Sequence, residues 1–101
     1  AIIAQNDQRA MEVMQALHTH GIKVPDDISV VGFNNDNSSA HYIPALTTID
    51  LPVLGASDRA VKYLLDHLQN KKTTDQTDTG ILDMVLDERL IIRQSTAKVR
   101  N

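Results

Sequence analysis

The sequence contains no cysteine, which excludes a disulfide framework and any metal site built on thiolates. Aromatic side chains are scarce, with Phe33, Tyr42 and Tyr63 as the full set, so a core has to be aliphatic. A net charge of −3 gives no basic surface of the kind that binds nucleic acid. No apolar run approaches the length of about 18 residues that a membrane span needs. These absences predict a small cytoplasmic domain without a membrane partner.

The first half of the chain follows the pattern strand, helix, turn, strand. Residues 1–4 form an apolar run suited to a strand, and a chain that starts inside a strand is typical of a fragment. Asn6 or Asp7 is suited to cap a helix that extends to about His20. Apolar residues recur there at helical spacing: Ala10, Val13, Met14 and Leu17. Residues 28–33, ISVVGF, suit a strand covered on both faces. The pattern predicts an α/β fold with a right-handed, parallel-sheet βαβ unit over residues 1–49.

The second half of the chain is less regular. Residues 45–50, ALTTID, are rich in β-branched side chains and predict an extended segment. Helical spacing predicts a second helix from about residue 54 to residue 68, with an apolar stripe of Ala60, Val61, Leu64, Leu65 and Leu68. Residues 71–83 predict a polar linker, residues 84–94 one or two final strands, and residues 95–101 a loose tail.

Polar side chains follow both predicted strands of the βαβ unit. Asn6 and Asp7 come after the first strand, and Asn34, Asn35 and Asp36 come after the second. In open α/β sheets, ligands bind beyond the carboxyl ends of the strands. An amide both donates and accepts hydrogen bonds, and a carboxylate accepts them, which suits the hydroxyl groups of a sugar. The alternative is that the first pair only caps a helix and the second group only shapes a turn.

Three sequence blocks carry a family resemblance. NDQRAMEVMQALHTHGIKVPDDISVVGFNND, YIPALTTI and RLIIRQST occur in this order along nearly the whole chain. Together they closely resemble the effector-binding core of the lac repressor/gal repressor family of bacterial transcription regulators. The resemblance implies a periplasmic-binding-protein-like fold, in which two α/β lobes hold a ligand between them. It covers only the last part of such a regulator, so the chain is expected to lack the N-terminal helix-turn-helix that binds operator DNA. Residues 50–70 would belong to the other lobe, and residues 84–94 would return to the C-terminal lobe, which holds residues 1–49.

The same resemblance implies site residues. It places ligand contacts at Asn6 and Asn34, with Asp7 as a further ligand-binding candidate. The family commonly has Asp where this chain has Asn34, so the ligand class cannot be copied from a sugar-binding relative. In the family, the helix that starts at ND and the segment after VGF help to form a homodimer. The candidates for the dimer interface are therefore Met11, His41 and Tyr42.

The chain shows no nucleophile–base pair and no phosphate-cradling glycine motif, so we expect no catalytic residue and no cofactor. His18 and His20 point to different faces of a helix, which argues against a metal site. The hypothesis is thus an effector-binding, dimer-forming part of a DNA-binding transcription regulator, with a small molecule, expected to be a carbohydrate, as effector. Two alternatives remain open: a periplasmic sugar-binding protein of a transport system, and a structural dimerisation module that binds no ligand.

Overall fold

The computed structural model describes residues 1–70 and 85–100, so the predicted polar linker 71–83 lies outside the described residues. Two units are present, one of Ala1–Leu51 with Glu88–Asn101 and one of Pro52–Asp87. The first division falls after residue 51, close to the boundary predicted after residue 49. That the second unit belongs to another lobe of a larger protein stays a prediction. Among the described helices, none combines the length and apolar character needed to cross a membrane.

The first unit is a four-stranded sheet with one α-helix packed on it. Its elements are β1 (Ile2–Ile3), α1 (Asp7–Thr19), β2 (Val30–Phe33), a 3-10 helix (Asn37–Ala40), β3 (Thr47–Asp50) and β4 (Arg89–Ile91). The strands lie in the order β1–β2–β3–β4, with β1, β2 and β3 parallel and β4 antiparallel to β3. The predicted α/β fold and its parallel sheet are confirmed. β2 begins at Val30, two residues later than predicted, and it pairs with β1 through Val30 and Val31.

The core of this unit lies between α1 and the sheet. Ala10 and Met14 of α1 are buried with Val30 of β2 and with Leu46, which precedes β3. Leu17 packs against this cluster from the next turn of the helix. Burial of each large aliphatic side chain stabilises the fold by about 1.5–3 kcal/mol. Three residues of the predicted stripe, Ala10, Met14 and Leu17, therefore face the core, whereas Val13 is not part of this cluster.

β2 comes very close to the first turn of α1 at Gly32. A Cβ added to Gly32 would collide with Oδ1 of Asp7 and would lie 2.9 Å from Cδ2 of Leu46. The strand can reach this distance only because glycine has no side chain. Gly32 thus leaves room for the Asp7 side chain between the helix and the sheet.

The chain segment that follows β4 is anchored in the sheet. Ser95 is fully buried, its Oγ donates to the Val30 carbonyl (2.6 Å), and the Thr47 N–H donates to the same Oγ (2.8 Å). The Val30 N–H donates in turn to the Ser95 carbonyl at 2.9 Å. The prediction of a loose tail from residue 95 was therefore wrong at its first residues, because the hydroxyl of Ser95 satisfies backbone groups at the start of β2 and β3.

The second unit contributes one described helix, α2 (Val53–Asn70), which confirms the predicted second helix with two more residues at its end. α2 buries none of its side chains. An exposed ion pair joins Lys62 Nζ to Asp58 Oδ2 at 2.9 Å, one turn apart. Such a pair adds about 0.3–0.5 kcal/mol to the stability of a helix.

Gly32→Ala is expected to lower the free energy of unfolding by about 3 kcal/mol, because the new methyl group overlaps the Asp7 carboxylate and Leu46. Gly55→Ala is the matched control, since an added Cβ there meets nothing within 4 Å and alanine is the better helix former. Urea unfolding followed by far-UV circular dichroism measures both variants. Equal losses of stability in the two would contradict a close approach at Gly32.

Candidate functional site

The two polar groups that follow β1 and β2 meet at one edge of the sheet. β1 and β2 are parallel neighbours, so their carboxyl ends lie side by side. The Asp36 N–H donates to Asp7 Oδ2 at 2.7 Å, which joins the two groups directly. The polar residues after β1 and those after β2 therefore lie together, as the strand pattern predicted.

Asn34 is exposed at this edge. Its backbone has φ 101°, and its N–H donates to the Ile49 carbonyl at 2.9 Å. Asn35 follows with φ 54°, so two consecutive residues occupy the left-handed region that asparagine tolerates better than most residues. Within residues 1–70 and 85–100, the Asn34 amide has no hydrogen-bond partner. The tight turn therefore presents a donor and an acceptor to solvent at the end of β2.

Asn35, next to it, has its polar groups occupied within the fold. Its N–H donates to Thr48 Oγ1 (3.2 Å), its Oδ1 accepts from Arg93 Nη2 (2.8 Å), and its Nδ2 donates to Asp50 Oδ1 (3.3 Å). Arg93 is itself held, because Nη1 donates to the Leu46 carbonyl at 2.9 Å. Asn35 and Arg93 thus support the turn on which Asn34 lies. Sequence reasoning missed Arg93, and no local signal marks it.

Asp7 lies beneath the turn and is fully buried. Its Oδ2 accepts from the Asp36 N–H and from Ser39 Oγ, and its Oδ1 accepts from Thr48 Oγ1 at 2.5 Å. Both carboxylate oxygens are therefore used inside the protein. A direct ligand contact by Asp7 stays a prediction. Ser39 and Thr48 were missed, although a polar residue inside an extended apolar segment is a weak signal for a buried polar partner.

Of the two predicted cap candidates, Asn6 is the N-cap of α1 and Asp7 is the first residue of the helix. Its Oδ1 accepts from the Arg9 N–H at 2.9 Å, which satisfies one of the backbone donors at the start of the helix. The side chain is half-buried and lies at the same edge as Asp7. Because the cap uses Oδ1, the NH2 group of the Asn6 amide is left to donate to a ligand. A contact between Asn6 and a ligand stays a prediction.

The charges at this edge are mixed. Asp50 faces Asn35 with one oxygen and Arg89 with the other, and its Oδ2 lies 3.4 Å from Arg89 Nη2. Exposed pairs of this kind add about 0–1 kcal/mol. Among residues 1–70 and 85–100, no cluster of three or more His, Cys, Asp or Glu has the arrangement of a metal site. The exposed Asn34 amide of this edge can donate hydrogen bonds to a neutral polar ligand and accept hydrogen bonds from it.

The predicted interface residues lie away from that edge, beside α1. Tyr42 is half-buried, and its hydroxyl donates to the Met11 carbonyl at 3.2 Å. His41 is exposed next to it, and Ile43 is 90% exposed. A cavity of about 490 Å3 opens alongside, lined by Met14, His18, Ile22, Tyr42 and Ile43 among others. The structure brings Met11 and Tyr42 together, whereas dimer formation itself stays a prediction.

Comparison with known proteins gives consistent matches. The chain matches the periplasmic binding protein-like domain over residues 1–96. The HTH-type transcriptional repressor PurR of Escherichia fergusonii is 35% identical over 97 residues, which are 96% of this chain and 27% of the relative. The lac repressor dimer bound to operator and the anti-inducer ONPF superposes with a TM-score of 0.78 at 34% identity, covering 93% of this chain and 30% of that chain. A LacI family transcriptional regulator from Enterococcus faecium with bound ribose gives 0.75 at 28% identity, covering 97% and 34%.

These matches include both sequence and fold, and they agree with the resemblance carried by the three sequence blocks. The chain spans between 27% and 34% of the length of the three proteins. The activities of the whole proteins therefore do not transfer with the match. The chain belongs to the periplasmic binding protein-like family, and it matches part of the effector-binding core of LacI-family transcription regulators.

Proposed function

We propose that this chain is the effector-binding and dimer-forming part of a bacterial, cytoplasmic, DNA-binding transcription regulator. The observation that carries the proposal is the exposed Asn34 amide, which a tight turn presents at the carboxyl end of β2 while Asn35 and Arg93 support the turn from behind. Rigid support of one outward amide is typical of a binding contact, because a preorganised group loses little entropy on binding.

The proposed effector is a sugar or a related small polar metabolite. An amide can accept from one hydroxyl and donate to the next, so Asn34 fits a pair of adjacent hydroxyl groups. Asn6 would add a donor from the neighbouring strand end. The Enterococcus faecium regulator, which has bound ribose, shows that a protein with this fold accommodates a sugar. The family more commonly has Asp at the position of Asn34. The identity of the sugar therefore has to be determined for this chain itself.

The dimer would form through Met11, His41 and Tyr42, with Ile43 at its centre. Ile43 is an almost fully exposed aliphatic side chain beside a cavity lined by both apolar and charged residues, and such a pair of features suits a symmetric contact in which each copy packs against the cavity of the other. The lac repressor structure is a dimer on its operator. Operator binding by a protein containing this chain would require a helix-turn-helix that is outside the residues described here.

We propose binding rather than catalysis, since the relatives are named as repressors. A transport protein with the same two-lobe architecture is the second candidate, because fold alone does not determine function. A structural dimerisation module is the third, and it is distinguished by the absence of any ligand response.

A thermal-shift screen of the intact protein against ribose, lactose, sugar phosphates and nucleosides is expected to identify one stabilising class. A ligand at a hundred times its dissociation constant adds about 2.7 kcal/mol to the free energy of unfolding. Asn34→Gly is expected to abolish that gain. Glycine removes the amide and accepts the φ of 101° without strain, so the loss reports on the contact and not on the turn.

Asn37→Ala is the control for the ligand screen, because Asn37 is also exposed but lies in the 3-10 helix beyond the turn. It should keep the full ligand response. A well-folded protein that responds to none of the compounds would favour the structural module. A response that survives in Asn34→Gly would contradict the assignment of Asn34.

Ile43→Asp is expected to weaken the dimer at least tenfold, because a charge would be buried without a partner in the contact. Val99→Asp is the matched control, since Val99 is also 90% exposed and lies near the end of the chain. Sedimentation equilibrium over a range of protein concentrations measures the dissociation constants. A dimer that is unchanged in Ile43→Asp would contradict this interface.

A further inference from the structure

The buried carboxylate of Asp7 contacts two parts of the chain that have different proposed roles. Oδ1 accepts from Thr48 in β3, and Oδ2 accepts from the Asp36 N–H and from Ser39 at the 3-10 helix. These partners are remote from Asp7 in sequence, at separations of 41, 29 and 32 residues. The role predicted from sequence, a residue at the start of a helix, requires none of them.

The Oδ1 arm leads to the ligand edge. Thr48 Oγ1 donates to Asp7 and at the same time accepts from the Asn35 N–H at 3.2 Å. The hydroxyl donates its one proton to Asp7 and accepts from the Asn35 N–H with a lone pair, so both bonds are made at once. Asp7 therefore holds in place the Thr48 hydroxyl that in turn holds the turn carrying Asn34.

The Oδ2 arm leads to the proposed interface. Ser39 is fully buried, and the Ser39 carbonyl accepts from the Leu46 N–H at 2.8 Å. The neighbouring Ser38 carbonyl accepts from the Tyr42 N–H at 3.0 Å, and the Tyr42 hydroxyl donates to the Met11 carbonyl. The carboxylate thus also fixes the turn from which Tyr42 extends.

We propose that Asp7 is a positioning residue that gives the turn of Asn34 and the segment of Tyr42 one common polar support. The proposal deepens the proposed function, on which its consequence for ligand and dimer rests. A ligand held by Asn34 and a partner subunit held by Tyr42 would then influence each other through the Asp7 carboxylate. Coupling of this kind is reciprocal, so a change on either arm has to appear on the other.

The test is amide hydrogen exchange on the intact protein carrying Thr48→Val. The variant keeps the shape of the side chain and removes the hydroxyl from Asp7 and Asn35. Faster exchange at Asn35 is expected from the lost acceptor alone. The decisive amide is Tyr42, which bonds to Ser38 and not to Thr48. The Tyr42 ratio is the exchange rate of the Tyr42 amide divided by that of the slowest-exchanging amides of β2. This ratio is expected to rise about three- to tenfold.

Thr47→Val is the matched control on the same strand. Thr47 is equally buried, but its hydroxyl contacts Thr96 and the Arg93 N–H and not Asp7. It should leave the Tyr42 ratio unchanged. Thr48→Ser, which retains the hydroxyl, should restore the wild-type ratio. If Thr48→Val does not fold, Ser39→Ala tests the same coupling, because it removes a hydrogen bond to Oδ2 of Asp7. In that variant the exchange rate of the Asn35 amide is expected to rise.

Two results would overturn the positioning role: a Tyr42 ratio that stays at the wild-type value in Thr48→Val, or an equal rise in Thr47→Val. The first would confine the effect to the lost bond, and the second would indicate general loosening. The exchange experiment uses no ligand and no dimer. A failed ligand screen would therefore remove the proposed function while leaving the positioning role to be decided by Tyr42. If the screen identifies a ligand, Thr48→Val is expected to raise the dissociation constant of that ligand about tenfold.

Discussion

The polar edge of the first unit depends on one buried carboxylate. Asp7 has no exposed surface, so its charge requires partners inside the protein, and without them burial would be strongly unfavourable. Thr48, Ser39 and the Asp36 N–H provide them. Each hydrogen bond to a charged group contributes about 1.5–3 kcal/mol. Since the donors come from β3 and from the turn after β2, the carboxylate fixes α1, the sheet and the turn relative to one another.

Two features of the surrounding chain follow from that carboxylate. Gly32 has to lack a side chain, because a Cβ would occupy the space of the Asp7 oxygen. Asn34 and Asn35 form a turn with positive φ, and this turn brings the N–H of the following residue, Asp36, to the carboxylate. A turn of this kind costs energy and persists only where its surroundings hold it. Here the Thr48 hydroxyl and the Arg93 guanidinium hold it.

The elements could be predicted from sequence because they depend on residues close together in the chain. The Asn6 cap and the buried pair Ala10 and Met14 are examples, each determined within one or two helical turns. The supports of the site could not be predicted in this way. Arg93 reaches Asn35 across 58 residues, and Ser95 reaches Val30 across 65. Helical and strand spacing contain no information on such pairs, which is why the segment after β4 was mistaken for a loose tail.

The contrast between Asn34 and Asn35 shows which amide the fold leaves available at this edge. The two residues are identical in type, adjacent in sequence and both in the left-handed region. The fold uses the amide of Asn35 on both sides, with Arg93 and Asp50 as partners, and leaves the amide of Asn34 exposed. A ligand can recognise only the groups that the fold has not already bound. On the proposed function, the effector would meet an amide that both donates and accepts, where an aspartate would only accept.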